Sequence, residues 1–159
     1  MAEVIGLTGQ TGAGKSTVRK LLKAKGAAVI DADSVAHEVA DNSLSCLTDI
    51  VEHFSCMVLD EKGKLNRRAL GRIVFSDRKK LALLNKIMFP YIVSAIKGQV
   101  TAYEQAGAQI IVIDGATLIE SGCAKMCSVL VSVTADEETR LTRIIHRDGI
   151  SKRDAVRRV

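Results

Sequence analysis

A glycine-rich run near the N-terminus has the residue types and spacing to hold a polyphosphate: Gly9-Gln10-Thr11-Gly12-Ala13-Gly14-Lys15-Ser16-Thr17. It matches in full the phosphate-loop (P-loop) pattern G-x-x-x-x-G-K-[ST]. Its glycines let successive backbone N–H groups turn inward, and the N-terminus of a following helix adds partial positive charge. Lys15 would reach the β- and γ-phosphates as a point charge, and the Ser16 hydroxyl would ligate Mg²⁺. The residues expected to bind the phosphates are Gly9, Thr11, Gly12, Ala13, Gly14, Lys15, Ser16 and Thr17.

Two carboxylates are candidates for the chemistry beside this loop. Asp33 would orient an attacking hydroxyl and accept its proton, or it would cap a helix that starts near Val35, worth about 1 kcal/mol. The position of Asp33 in the sequence fits a catalytic base and an N-cap equally well. Asp114 ends the clearest apolar strand, residues 109–113, and would approach Mg²⁺ or its water shell. Apolar strands that end in Asp are common in α/β proteins. The alternative that Asp114 has no role at the metal therefore stays open.

Basic side chains form a third group, on a helix expected to begin at Asp136. Arg140, Arg143 and Arg147 follow at spacings of three and four, which places them near one helix face. They form either a solvated basic stripe or a lid that brings guanidinium groups over the phosphates.

The flanking segments supply the elements that must position these residues. The largely apolar segments 4–7 and 27–31 predict two buried strands, the second of which ends in Asp31. The periodicity of residues 16–25 predicts a helix between them. This order predicts a right-handed βαβ unit with parallel strands. Since the carboxyl ends of parallel strands share one sheet edge, Asp31 and Asp33 are expected on the edge that carries the P-loop.

The middle third contains helical patterns and no further strand of the central sheet. A small hairpin is expected at residues 57–63, and Asn66 is a candidate N-cap for a helix that ends near Phe75. A longer helical pattern runs from residue 77 to 104 and should be kinked or split by Pro90. We interpret the middle third as a helical insertion that forms one wall of a substrate pocket.

Composition narrows the class of protein. A chain of 159 residues corresponds to about one domain. The net charge of +5 is scattered and aromatic residues make up only 3%, which favours an anionic small molecule over nucleic acid as the partner. No leader or apolar run of spanning length is found, and the four cysteines form no C-x-x-C pair. We therefore expect a cytoplasmic monomer with reduced thiols and no membrane partner.

Several motifs together resemble the dephospho-CoA kinase family. They are Gly6-Leu7-Thr8-Gly9 with residues 12–17, Asp31-Ala32-Asp33, Gly63-Lys64-Leu65-Asn66-Arg67, and segments within residues 114–120 and 143–158. The resemblance covers essentially the whole chain. It implies an α/β fold, a three-layer P-loop kinase core with a parallel sheet. It also implies phosphorylation of the ribose 3′-hydroxyl of dephospho-CoA by ATP, the last step of CoA synthesis.

The resemblance also implies the roles of individual residues and the boundaries of three regions. Lys15 and Ser16 would hold ATP and Mg²⁺, Asp33 would be the base, and Arg143 and Arg147, with Arg158, would be lid residues. The core would comprise residues 1–33 and 106–139, the CoA-binding insertion 34–105, and the lid region 140–159. The family pattern continues past Val159 with a further strand and helix, so four parallel strands are expected here instead of five.

The chain departs from the family pattern at three places. The family usually has Asp at the position of Asn66, His at that of Phe89, and Ile-Pro at that of Gly115-Ala116. Two alternatives to this kinase stay open: another P-loop small-molecule kinase, and a non-catalytic nucleotide- or CoA-binding protein. A regulatory GTPase is disfavoured, because Asp-x-x-Gly does not follow the third strand and Asn85-Lys86 is followed by Ile-Met rather than x-Asp.

Overall fold

The computed structural model describes all residues from Met1 to Val159. They form two compact units, the first made of Met1–Asp31 with Val100–Val159 and the second of Ala32–Gln99. The strands are β1 (Glu3–Gly9), β2 (Ala28–Asp31), β3 (Ile110–Asp114) and β4 (Val129–Val133). The helices are α1 (Lys15–Ala24), α2 (Ala32–Asn42), α3 (Leu44–Phe54), α4 (Arg67–Phe75), α5 (Arg78–Gln105), α6 (Leu118–Ser121), α7 (Glu137–Asp148) and α8 (Lys152–Val156). Two short 3₁₀ helices cover Cys56–Val58 and Cys123–Met126.

The first unit is built on a four-stranded sheet with the strand order β2-β3-β1-β4. All three strand pairs are parallel, which confirms the predicted α/β fold with four parallel strands. The register pairs Asp31 at the end of β2 with Asp114 at the end of β3, and Leu7 of β1 with the same Asp114. The two carboxylates therefore stand side by side at the edge from which the P-loop leaves β1.

The apolar strands form the core of this unit, as expected for a parallel sheet covered by helices. Leu7, Ile111, Val112 and Ile113 are all fully buried. In contrast, β4 is an edge strand, and three of its apolar side chains are well exposed: Val129, Leu130 and Val131. The P-loop and Asp114 thus lie at the ends of the buried central strands β1 and β3.

The second unit consists of helices around its own apolar residues. Ile50, Val58 and Ile96 are fully buried there. The predicted hairpin is present as an antiparallel bridge between Leu59 and Leu65, and Asp60 N–H donates to the Lys64 carbonyl at 2.7 Å.

Asn66 caps α4 as predicted, because its side-chain oxygen accepts from the Ala69 N–H at 3.0 Å. Arg67, the first residue of α4, donates to Asp41 at 2.7 Å and to the His37 carbonyl at 2.9 Å. These bonds tie the start of α4 to α2.

Of the two expected effects of Pro90, a kink or a split, the split does not occur. α5 is one continuous helix of 28 residues with Pro90 inside it. Proline removes a single N–H donor, and a helix of this length keeps enough of its other hydrogen bonds to continue. By length and composition α5 would be able to cross a membrane, a test that core helices of other proteins also pass.

Candidate active site

The P-loop joins β1 to α1 and has the backbone conformation that its glycines predict. Gly14 is the N-cap of α1 with φ at 105°, in the left-handed region where a side chain is disfavoured. Gly12 has φ at 80°, and a Cβ there would lie 2.8 Å from the Arg140 carbonyl oxygen. α1 begins with no side-chain cap and no acidic residue in its first turn. The positive end of the helix is therefore left for an anion from outside the chain.

Lys15, the first residue of α1, makes an ion pair with the carboxylate at the end of β3. Its Nζ donates to Asp114 Oδ1 at 2.5 Å. The Asp114 side chain is only 4% exposed and that of Lys15 is 20% exposed. The two residues that sequence analysis assigned to the phosphates and to the metal are thus brought together.

Arg19 completes this arrangement, and sequence analysis missed it. Its Nη1 lies 2.5 Å from Asp31 Oδ2 and 3.0 Å from Asp114 Oδ2. Lys15, Arg19, Asp31 and Asp114 form a cluster of two cations and two carboxylates, which we call the four-charge cluster. A signal was present in the sequence, because Arg19 follows Lys15 by one helical turn and so shares its face of α1.

Arg143 reaches the P-loop from α7. Its Nη1 donates to the Gly12 carbonyl at 3.2 Å and to the Ala13 carbonyl at 3.0 Å. α7 is fixed at its start by Asp136, whose side chain accepts from the Thr139 N–H at 2.8 Å. The hydrogen bonds from Thr139 hold the pKa of Asp136 below its ordinary value, and the charge of Arg143 lowers it further. A guanidinium group is thus placed on the loop that would hold the phosphates.

The other arginines of α7 have different surroundings. Arg140 is buried, donates through Nη1 to the Val159 carbonyl at 3.2 Å, and has no partner for its Nε. The solvated-stripe interpretation is therefore wrong for Arg140. Arg147 is 61% exposed and its Nε lies 2.6 Å from Asp148 Oδ1. It contacts Asp148 and not the P-loop.

Arg158 shares the carboxylate of Asp148, with its Nη1 at 2.7 Å from Oδ2. Hydrogen bonds from Arg147, with the charges of both arginines, hold the pKa of Asp148 below its ordinary value. The same pairing with Asp148 raises the pKa of Arg147. Arg158 also borders a cavity of about 410 Å³ beside the P-loop. The cavity is lined by Thr8, Gly9, Gln10, Thr11, Ala116, Ser132, Arg158 and Val159.

Asp33 is the second residue of α2, which begins at Ala32 directly after β2 ends. The cap interpretation required a helix that starts after Asp33, and it is wrong. A carboxylate in the first turn is still favoured by the helix dipole. Asp33 therefore lies inside the first turn of α2 and not at its N-cap.

No group of three or more His, Cys, Asp or Glu side chains that could hold a metal ion is present. Mg²⁺ does not need one, because it binds through a few protein oxygens, water and the substrate phosphates. The exposed hydroxyl-bearing Ser16 fits a direct ligand, whereas both carboxylate oxygens of Asp114 already face cations. Asp114 therefore fits contact through the water shell of the ion better than direct ligation.

Known proteins match nearly the whole length of this chain. The family model described as CoaE: Dephospho-CoA kinase matches residues 3–159. A dephospho-CoA kinase of Arabidopsis thaliana is 41% identical over 156 residues, which cover 98% of this chain and 67% of that protein.

Solved structures are similar as well. TT1252 from Thermus thermophilus has a TM-score of 0.80 at 30% identity, covering 99% of this chain and 78% of the other. Dephospho-CoA kinase from Campylobacter jejuni has a TM-score of 0.68 at 28% identity, covering 99% and 79%.

Proposed function

Because the chain belongs to the dephospho-CoA kinase family, we propose that it transfers the γ-phosphoryl group of ATP to the ribose 3′-hydroxyl of dephospho-CoA, giving CoA and ADP. The observation that carries the proposal is the pairing of Lys15 and Arg143 with one P-loop, Lys15 at its end and Arg143 on its carbonyls. Phosphoryl transfer needs positioned positive charge around the phosphates more than covalent chemistry. This loop supplies it from α1 and α7.

The P-loop residues hold the phosphates through backbone N–H groups and the open end of α1. Lys15 leaves Asp114 for the β- and γ-phosphates when the nucleotide binds, since a polyphosphate offers it more negative charge than one carboxylate. Arg143 then stabilises the charge that develops on the phosphoryl oxygens, and Arg147 of the lid region joins it by leaving Asp148.

The Ser16 hydroxyl would hold Mg²⁺, and Asp114 would contact its water shell. When bound, the ion would supply positive charge to the transferring phosphates. The chain's own contribution is to keep Ser16 at the start of α1, next to Lys15.

Asp33 accepts the proton of the 3′-hydroxyl and directs that oxygen toward the phosphorus. General-base catalysis of this kind contributes about 10²- to 10⁴-fold to the rate. Support comes from its place two residues after Asp31, a member of the four-charge cluster at the strand ends.

The remaining parts of the chain bind the acceptor and close over the site. Residues 34–105 bind the CoA portion of the acceptor, residues 1–33 and 106–139 are the core, and residues 140–159 belong to the lid. Asn66 caps α4, a role in which Asn and Asp are about equally good, so its departure from the family pattern does not weaken this helix. The protein works as a cytoplasmic monomer on a small molecule, without nucleic acid or membrane partners.

The test incubates purified protein with ATP, Mg²⁺ and dephospho-CoA and follows the 3′-phosphorylated product by mass. Lys15→Ala and an exposed neighbour, Lys20→Ala, are run beside it. Product that depends on Lys15 but not on Lys20 supports the proposal. ATP binding without product would instead identify a non-catalytic binder, and phosphorylation of a different acceptor would identify another small-molecule kinase.

A further inference from the structure

We infer that Arg19 is a positioning residue that holds the Asp114 carboxylate when Lys15 moves to the phosphates, and so makes nucleotide binding tighter. The inference rests on the proposed function, because it concerns the same P-loop. It assigns a task to a side chain outside the P-loop run and outside every motif singled out in the sequence.

The contacts of Asp114 show why this carboxylate needs a second cation when Lys15 leaves it. Its two oxygens face different cations, Oδ1 to Lys15 and Oδ2 to Arg19. The side chain is only 4% exposed, so water cannot replace a lost partner well. If Lys15 were its only cation, every nucleotide that draws Lys15 away would leave a buried, uncompensated carboxylate, which is strongly unfavourable.

Arg19 is placed to prevent this outcome. Its guanidinium bridges Asp114 and Asp31, so a second carboxylate helps to fix it in place. It also stands one turn along α1, behind the residues that line the phosphate site. The departure of Lys15 therefore leaves the Arg19 to Asp114 pair intact.

Removing Arg19 should bind Lys15 more tightly to Asp114 and raise the cost of recruiting it to ATP. Because Arg19 is 33% exposed, solvent compensates part of the loss, and we expect ATP affinity to fall roughly tenfold and not more than about a hundredfold. The turnover number at saturating ATP should change little, since Lys15 is then already on the phosphates.

The experiment measures the dissociation constant of ATP by calorimetry in EDTA, which removes any effect through Mg²⁺. Arg19→Met is compared with Lys20→Met, a loss of the same charge from an exposed neighbour on the same helix. Arg19→Lys should restore most of the affinity, because it returns the cation. Unfolding curves of each variant establish that it is folded.

A double-mutant cycle separates positioning from mere structural support. In an Asp114→Asn background no buried carboxylate needs compensation, so Arg19→Met should no longer weaken ATP binding. The same weakening in both backgrounds, or unchanged affinity in Arg19→Met, would overturn the inference while leaving the proposed function standing. Failure of the unaltered protein to bind ATP, both in EDTA and with Mg²⁺ added, would overturn both.

Discussion

Lys15 on α1 and Asp114 at the end of β3 are joined by a 2.5 Å ion pair, so the cation expected on the nucleotide is held by a carboxylate of the same site. The pair spans two elements that a parallel register already brings together, because Asp114 lies opposite Leu7, just before the P-loop. Under the proposed function, binding of a nucleotide would therefore be an exchange of partners for Lys15.

Replacing Lys15 by Ala should remove most of the activity. Loss of one preorganised charge donor lowers kcat by about 10²- to 10³-fold. Steady-state kinetics with dephospho-CoA measure the effect, and Lys20→Ala is the matched control. Retention of the full rate in Lys15→Ala would contradict the role assigned to Lys15 at the phosphates.

Replacing Asp33 by Asn should lower kcat by about 10²- to 10⁴-fold and leave ATP affinity nearly unchanged, because a base acts on the acceptor and not on the nucleotide. Glu38→Gln, an exposed acid on the same helix, serves as the control. A normal kcat in folded Asp33→Asn would rule out the base.

Replacing Arg143 by Ala should reduce both ATP affinity and kcat, the rate by about 10²- to 10³-fold, since a donor aimed at the phosphates is lost. Arg143→Lys should recover only part of the loss, because an ammonium group lacks the planar fork of a guanidinium. Arg153→Ala, on α8, removes an exposed cation elsewhere and should be close to normal. Kinetics at varied ATP concentration give both constants.

Stability should depend on pH through Asp148. Its folded-state pKa is lowered by hydrogen bonds and charge from Arg147 and Arg158, so the unfolded chain binds its proton at higher pH than the folded chain. The contribution is fully present above the ordinary pKa of Asp, about 4, and is lost as the pH falls below it. Urea unfolding from pH 7 to pH 3 should show a smaller decline in Asp148→Asn than in the unaltered protein. Equal declines would mean that Asp148 contributes nothing to this dependence.

The sequence predicts the parts of the fold that depend on local pattern. Buried strands such as residues 109–113 are recognisable as apolar runs, and the P-loop is recognisable because its chemistry requires its residue types. Asn66 was identified as a cap for the same reason. The predicted split at Pro90 is wrong, because the cost of one proline was considered without the length of the helix around it, while the alternative of a kink stays a prediction.

The four-charge cluster depends instead on pairing between distant strands. Only the register of β2 with β3 places Asp31 opposite Asp114, and only then does Arg19 find two carboxylates within reach. A single sequence carries no direct signal of that register. The sequence shows that Lys15 and Arg19 share one face of α1. It does not show that the carboxylates at the ends of β2 and β3 lie within their reach.

The four-charge cluster also bears on how fast a nucleotide arrives. Two cations and two carboxylates cancel in their distant field, so the cluster adds little long-range attraction for an approaching polyphosphate. The steering field near the loop then comes from Arg143, whose partners there are neutral carbonyls, from the neighbouring Arg140, and from the end of α1. The association rate of ATP should consequently fall only gently with ionic strength, and replacing Arg143 should reduce that dependence while the cluster stays intact.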